Sequence, residues 1–275
     1  MALLKSYICG CVRNCKTFLP DVFQNIEKII TLLEDYHIVI AFDESNDNSL
    51  QILYEMQLRF PGKMTILCHD ENIGLLRVKN ICAARNRLLN FMNTDNRDFE
   101  YFIMMDMDDV CASPIQLNVL DEFFQKERRG EETGEWDVLT FYRKPYYDIW
   151  ALSVSPYCFS CWSFPDGNAA VLQIRDFLHK TIDSMQPDDL FPVKSAFNGF
   201  AIYRRAAVKN CRYEWNIRNN VQLLGHELIN ETRNAIRQPV VRSQMDQDCE
   251  HRFFHLSAIM QNGARIVISP KVLFP

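Results

Sequence analysis

The chain has 275 residues, 48% of them apolar and 24% charged, with 30 basic against 35 acidic side chains and a formal net charge of −5. That apolar fraction excludes a disordered or collagen-like chain, and the mildly acidic balance argues against general nucleic-acid binding, which rests on neutralising phosphates. No stretch approaches the ~20 apolar residues that cross a bilayer, and Lys5 interrupts the apolar N-terminus where a signal peptide needs an unbroken run, so the expectation is a soluble, cytoplasmic protein.

Residues 3–12 read as a strand and 18–35 as an amphipathic helix. In that helix Phe18, Val22, Phe23, Ile26, Ile29, Ile30 and Leu33 recur at helical spacing, with Pro20 in the first turn. HIVIAFD (37–43) is a short apolar run ending in an acid, and a helix over 49–60 stops before Pro61–Gly62. MTILCHD (64–70) is a third strand, 75–93 a third helix, and YFIMMD (101–106) a fourth strand that again ends in an acid. Strands alternating with helices predict an α/β fold with a mostly parallel sheet and crossover helices. Such sheets bind ligands at the carboxyl ends of their strands, where Asp43 and Asp106 lie.

The second half is less regular. WDVLTFY (136–142) reads as a strand and is followed by an aromatic stretch, YYDIWALSVSPYCFSCWSF. A helix over 169–183, a strand running into a helix start at FNGFAIYRR (197–205), a helix over 247–261 and a closing strand, ARIVISP (264–270), complete the chain. Of the ten cysteines, only Cys158 and Cys161 form a C-x-x-C, and no second pair completes a zinc site. Alternation puts Cys9 and Cys11 on one strand face. Reduced thiols serving as small apolar side chains are expected.

Three segments carry chemistry. In MMDMDDV, extended backbone turns Asp106 and Asp108 to one side, with Asp109 beside them. Hard cations such as Mg²⁺ or Mn²⁺ take one or two carboxylates together with substrate phosphates. FDESNDNSLQIL (42–53) offers Asp43 and Glu44 to a base or ribose, while Ser45, Asp47 and Ser49 suit the cap of the next helix. In LLRVKNICAARNRLLNFM (75–92), Arg77 and Arg85 lie near one helical face with Asn86 beside the second, either to pair with a diphosphate or as ordinary surface arginines.

Taken in order, ESNDNS, AARN, IMMDMDD, FNGFAIYRR and CEHRFFHLSAIMQNGARIVISP resemble the GT-A fold of nucleotide-sugar glycosyltransferases. Those enzymes commonly show a D-D-x-S-x-D-x-T turn, an A-R-N helix, and a hydrophobic strand ending in D-x-D-D. A glycine-containing strand before Arg and a late E-D pair follow. The AARN helix with Arg77 upstream also looks like fungal capsule-associated mannosyltransferases and related viral enzymes. The likeness spans roughly residues 5–270 and implies one domain over 1–275, with a nucleotide-binding half (1–110) and an acceptor-binding half (111–275).

The resemblance also implies roles. Asp43 and Glu44 would contact the nucleoside, Arg77, Arg85 and Asn86 the base or diphosphate, and Asn198 and Gly199 the nucleotide-sugar. Asp106 would sit near ribose and metal, and Asp108 would ligate Mn²⁺ or Mg²⁺ directly. In inverting members an acid of the E-D pair is the general base. Here Glu250 matches the first acid, His251 replaces the second, and Asp248 precedes them, leaving Glu250 or Asp248 as the base. His251, and more weakly His255, would be a metal ligand or a hydrogen-bonded core histidine.

Tyr146, Tyr147, Trp150, Tyr157 and Trp162 would be sugar platforms or, more commonly, core. Residues 203–242 carry eight Lys/Arg against three Glu, either facing an anionic ligand or forming a solvated helix face. The implied activity is metal-dependent transfer of a sugar from a UDP- or GDP-linked donor to a hydroxyl of a glycan or glycoconjugate. Two alternatives stand beside it: a haloacid-dehalogenase-like phosphatase using DMDDV, and a non-catalytic sugar-binding module. The phosphatase family places its motif on the first strand, whereas three expected strands precede this one.

Overall fold

The computed structural model of the protein describes residues 4–69, 76–131, 135–240 and 246–275. Leu3, Asp70 and Leu75 at the ends of expected elements, and Arg242 of the basic stretch, lie outside the described residues. In chain order the elements are β1 (Lys5–Val12), α1 (Leu19–Ile30), β2 (Asp35–Asp43), α2 (Ser49–Arg59), β3 (Met64–His69), α3 (Arg77–Thr94), β4 (Tyr101–Asp106), α4 (Leu117–Arg129), β5 (Val138–Tyr142), α5 (Gly167–Asp183), β6 (Phe191–Val193), β7 (Phe200–Arg204), α6 (Ile217–Ile236), α7 (Glu250–Asn262) and β8 (Ile266–Val272). They fall into two compact units. The first comprises Met1–Glu135, Gly199–Ala206 and Val272–Pro275, the second Trp136–Asn198 and Ala207–Lys271.

The first unit is built on strands in the order β3-β2-β1-β4-β7. The pairs β1–β2, β1–β4 and β2–β3 are parallel, and β4–β7 is antiparallel. Parallel strands covered on both faces read as continuous apolar runs, and Ile38–Ala41 and Phe102–Met105 are buried throughout. Cys11 pairs with both Ala41 and Asp106, so β2 and β4 end on either side of the β1 terminus with Asp43 and Asp106 at the carboxyl edge.

Helix α1 buries Leu19, Val22, Phe23, Ile26 and Ile29, the stripe its periodicity predicts. It stops at Ile30, five residues before the expected end. Glu34 N–H donates to Leu4 C=O (3.0 Å), drawing the chain into register with β1 at Asp35. Helix α4, which the sequence reading omits, buries Val119, Leu120, Phe123 and Phe124. A polar network ties it to the sheet: Tyr101 Oη and Arg204 Nη2 both donate to the buried Glu127 carboxylate, at 2.8 and 2.5 Å.

In the second unit β8 lies between β5 and β6 and pairs antiparallel with β6. A cluster of Cys158, Phe159, Ile217, Leu224 and Leu256 joins α6 and α7 to the aromatic stretch. Helix α6 is broken at Gly225 (φ 72°, ψ 168°), a conformation that glycine adopts without a Cβ clash. The aromatic residues divide: Tyr146 and Tyr157 are buried, whereas Tyr147 and Trp162 are about half exposed. All ten cysteines are free. Among the described residues no helix is long and apolar enough to cross a membrane.

The loop after β4 is pinned by one buried side chain. Asn25 Nδ2 donates to the carbonyls of Cys111 (2.9 Å) and Ser113 (2.8 Å), and its Oδ1 accepts from Ile115 N–H (3.1 Å). Asn25→Ala leaves three backbone groups without these partners. It should destabilise the protein by about 1–3 kcal/mol, read as a lower urea midpoint with an unchanged m-value.

Candidate active site

Five positions on α3, namely Arg77, Asn80, Ile81, Ala84 and Arg85, follow the spacing of one helical face, and all line a cavity of about 320 Å³. The opposite walls are the β1 terminus and its following loop (Cys11 to Cys15), Asp43 at the end of β2, and Asp106, Met107 and Asp108 at the end of β4. The cavity therefore lies at the carboxyl edge of the parallel strands, where helices and strand ends leave a crevice. Its walls carry three arginines (Arg13, Arg77 and Arg85) against three aspartates (Asp43, Asp106 and Asp108).

Each acid has a different environment. Asp106 Oδ1 accepts from Arg85 Nη2 at 3.2 Å, with the arginine side chain only 7% exposed. Asp43 Oδ1 accepts from Arg87 Nη2 at 2.5 Å. Asp108 is extended (φ −121°, ψ −159°), and its Oδ1 accepts from Val110 N–H at 3.3 Å. Burial pushes the Asp108 carboxyl above the usual carboxylate range; Asp109 adds to the shift, while the Val110 N–H and Arg77 oppose it. Burial likewise raises the Cys11 thiol to about 12 and the Cys15 thiol to about 11, so both present neutral S–H groups to the cavity. Among the described residues the side chains of Arg13 and Arg77 make no ion pair.

The remaining expected site residues are distributed as follows. Glu44 is exposed, and Asn86 directs its amide to Cys82 Sγ (3.6 Å); neither lines the cavity. Gly199 has φ +89°, and a Cβ there would stand 2.3 Å from Val110 Cγ1 and 3.7 Å from Asp106 Oδ2. Its carbonyl accepts from Asp106 N–H (2.8 Å) and Cys111 Sγ (3.2 Å), so it supports the acidic turn from behind. Asn198 acts within the second unit: its amide donates to Phe141 C=O (2.9 Å), and its Oδ1 accepts from Tyr147 N–H (2.9 Å) and Asp148 N–H (3.3 Å).

Also in the second unit, Asp248 is fully buried. Its Oδ2 accepts from Arg252 Nε (2.8 Å) and Asn220 Nδ2 (2.9 Å). Arg252 in turn donates to the carbonyls of Leu152, Cys158 and Trp150. Glu250 begins α7 and is 4% exposed, with one oxygen 3.9 Å from His251 Nε2. The His251 ring is 1% exposed, stacked 3.9 Å from Phe197 and edge-on to Tyr213. His255 Nδ1 lies 3.0 Å from Ser195 Oγ.

Sequence reasoning overlooked Arg87, Arg13 and the cavity thiols. Arg87 stands two positions after Arg85 in the same A-R-N-R run. The basic character of that run was the available signal.

Among the described residues no cluster of three or more His, Cys, Asp or Glu side chains is arranged to hold a metal. The donor set nevertheless fits a hard divalent cation, since two carboxylates, Asp106 and Asp108, face one cavity beside Arg13 and Arg77, whose guanidiniums suit phosphate. Asp108 Oδ and Asp106 Oδ would hold such an ion together with ligand phosphate and water.

A mostly parallel sheet flanked by helices, with an acid-and-arginine crevice at its carboxyl edge, defines the GT-A class of glycosyltransferase. Residues 7–153 match the family described as glycosyl transferase family 2, and the chain belongs to that family. No curated protein matches it. Among solved structures, TarS 1–349 of S. aureus aligns with 98% of this chain and 59% of its own length, at 14% identity and a TM-score of 0.44. The same protein in complex with UDP-GlcNAc aligns over 98% and 57%, at 13% identity and a TM-score of 0.49. The mannosyltransferase PcManGT from Pyrobaculum calidifontis, in complex with GDP-Man and Mn²⁺, aligns over 76% and 47%, at 9% identity and a TM-score of 0.42. The chain thus spans less than two thirds of these proteins. Family membership, with three strands preceding the DMDDV turn, turns aside the phosphatase reading.

The contact behind the acidic turn is testable. Gly199→Ala imposes a side chain at positive φ and against Val110. It should cost about 1–3 kcal/mol of stability and displace Asp106, weakening any cation-dependent ligand binding more than Gly62→Ala, whose Cβ would meet nothing within 4 Å.

Proposed function

We propose that the protein transfers a sugar from a nucleotide-diphosphate sugar, UDP- or GDP-linked, to a hydroxyl of a glycan or glycoconjugate, with Mn²⁺ or Mg²⁺ in the donor cavity. The observation that carries this reading is the convergence of Asp106 and Asp108 with Arg13 and Arg77 on one carboxyl-edge cavity. Such a cavity suits a diphosphate that shares a cation with carboxylates.

In this reading Asp43 accepts a hydrogen bond from the nucleoside, its carboxylate fixed by Arg87. Arg13 and Arg77 grip the diphosphate, and Asp106 and Asp108 hold the cation. When bound, the cation supplies neutralisation of negative charge on the departing diphosphate. The acceptor oxygen forms a bond to the anomeric carbon, the bond from that carbon to the phosphate oxygen breaks, and its electron pair leaves with the nucleoside diphosphate. The acceptor's proton passes to a carboxylate Oε of Glu250. Asp248 is the weaker candidate for this base, because both a guanidinium and an amide already occupy its Oδ2.

Calorimetric titration with UDP, GDP and CMP, each with Mn²⁺ and with EDTA, tests the donor assignment. Metal-dependent binding of one diphosphate is expected, and its loss in Asp108→Asn. Binding of none would overturn the reading. Glu250→Gln should fold, bind donor and lose at least about 10²-fold in turnover. Asp248→Asn, by contrast, should lower stability by about 3–5 kcal/mol by leaving Arg252 buried without its carboxylate.

A further inference from the structure

The S-x-D-x-S run that follows β2 sits where helix caps are expected, yet Asn48, the N-cap of α2, makes no side-chain capping bond. The run faces the loop after β1 instead. Asn14 N–H donates to Ser45 Oγ (3.0 Å), Cys15 N–H to Ser49 Oγ (2.9 Å), and Lys16 N–H to Asp47 Oδ2 (3.0 Å). In return, Asn46 N–H donates to Asn14 Oδ1 (2.7 Å). Asp47 Oδ1 accepts from both the N–H (2.9 Å) and the Oγ (2.5 Å) of Ser49, which is itself fully buried.

Three consecutive N–H groups of one loop are thus held by three side chains of another. Asn14, the first of the three, has φ +55°, the left-handed region that asparagine tolerates better than most residues. The clipped loop carries Arg13, Asn14 and Cys15 into the cavity wall.

We infer that Ser45, Asp47 and Ser49 are positioning residues that set affinity for a nucleoside diphosphate by holding Arg13 against it. The inference rests on the donor cavity proposed above. Asp47 is the keystone, since both of its oxygens accept from N–H groups. An amide at that position keeps one acceptor and turns an N–H₂ toward an N–H donor. Asp47 does not line the cavity, so a change in ligand affinity on its mutation must travel through the loop.

The test is a double-mutant cycle of Asp47→Asn and Arg13→Gln, read as the dissociation constant for UDP or GDP with Mn²⁺. Each single variant should weaken binding about tenfold, and the double variant should be no weaker than Arg13→Gln alone. In transfer assays Asp47→Asn should raise KM more than it lowers kcat. Unchanged affinity in Asp47→Asn, or losses that multiply in the double variant, would overturn the inference. If Asp47→Asn does not fold, Ser45→Ala, which removes one bond to the loop (from Asn14 N–H) and one to Asp43 C=O, is read in the same way.

A ligand-independent arm separates this inference from the functional reading. Cys15 is 7% exposed in the clipped loop, so its alkylation by iodoacetamide, followed by mass spectrometry, reports loosening. If the wild-type protein binds no nucleoside diphosphate, the donor assignment fails. The clip then stands if Asp47→Asn speeds Cys15 alkylation severalfold, and falls if the rate is unchanged.

Discussion

The site depends on a pair of guanidinium–carboxylate contacts made by one helix. Parallel strands bring Asp43 and Asp106 to the same sheet edge, one on either side of the β1 terminus. Two carboxylates in a partly desolvated crevice repel and are costly to bury unless each is compensated. Helix α3 packs on β1 and β2, and from it Arg85 reaches Asp106 while Arg87 reaches Asp43. These contacts are better regarded as fixing geometry than as a large gain in stability, because desolvation offsets most of the attraction in such pairs.

That arrangement explains why the third acid differs from the other two. Asp108 stands beyond the reach of either clamp, held by a backbone N–H and influenced by Arg77 at a distance, and burial raises its carboxyl. Its neighbours Arg13 and Arg77 are likewise uncommitted among the described residues. The cavity is thus divided into a committed part, Asp43 and Asp106 with their arginines, and an uncommitted part of both signs. A ligand that brings anionic phosphate and a cation together would satisfy the second part, with the cation shared between Asp108 and the Asp106 carboxylate that Arg85 already holds. The backbone around it is fixed from outside the cavity, by Gly199 behind the acidic turn and Asn25 beneath the loop that follows.

The first half of the fold was legible because parallel strands and amphipathic helices write their burial into the pattern. The runs 37–43 and 101–106 became β2 and β4, and the α1 stripe is buried as spaced. Helix α4 was missed although Val119, Leu120, Phe123 and Phe124 carry a helical spacing. The stretch between the acidic turn and the 136–142 strand was assigned no element. Helix α6 had no comparable pattern: it is broken at Gly225, and few of its residues are buried. Strand β6 is three residues long and contains Pro192, too little to read. In the site, the carboxylates and Arg85 were readable as residue types at a strand end or on a helix face. The partners were not, because the choice of Arg87 for Asp43, and of loop N–H groups for Ser45 and Asp47, depends on which strands become neighbours.

The late acids show the same limit from the opposite direction. Asp248 and Glu250 are two residues apart and chemically alike, and only the motif match of Glu250 to the first acid of the E-D pair separated them in the sequence. The fold separates them by where α7 begins. Asp248 lies before the helix, where its carboxylate meets Arg252 one turn on, and Arg252 spends its other nitrogens on three carbonyls of the 150–158 segment. Removing Asp248 would leave a fully buried guanidinium without its carboxylate, so the group has a structural role. Glu250 opens the helix, where the N-terminal dipole favours a carboxylate, and one of its oxygens lies 3.9 Å from His251 Nε2. A carboxylate whose Oδ2 already holds a guanidinium and an amide is poorly placed to take a further proton, which is the physical reason for proposing Glu250 rather than Asp248 as the base.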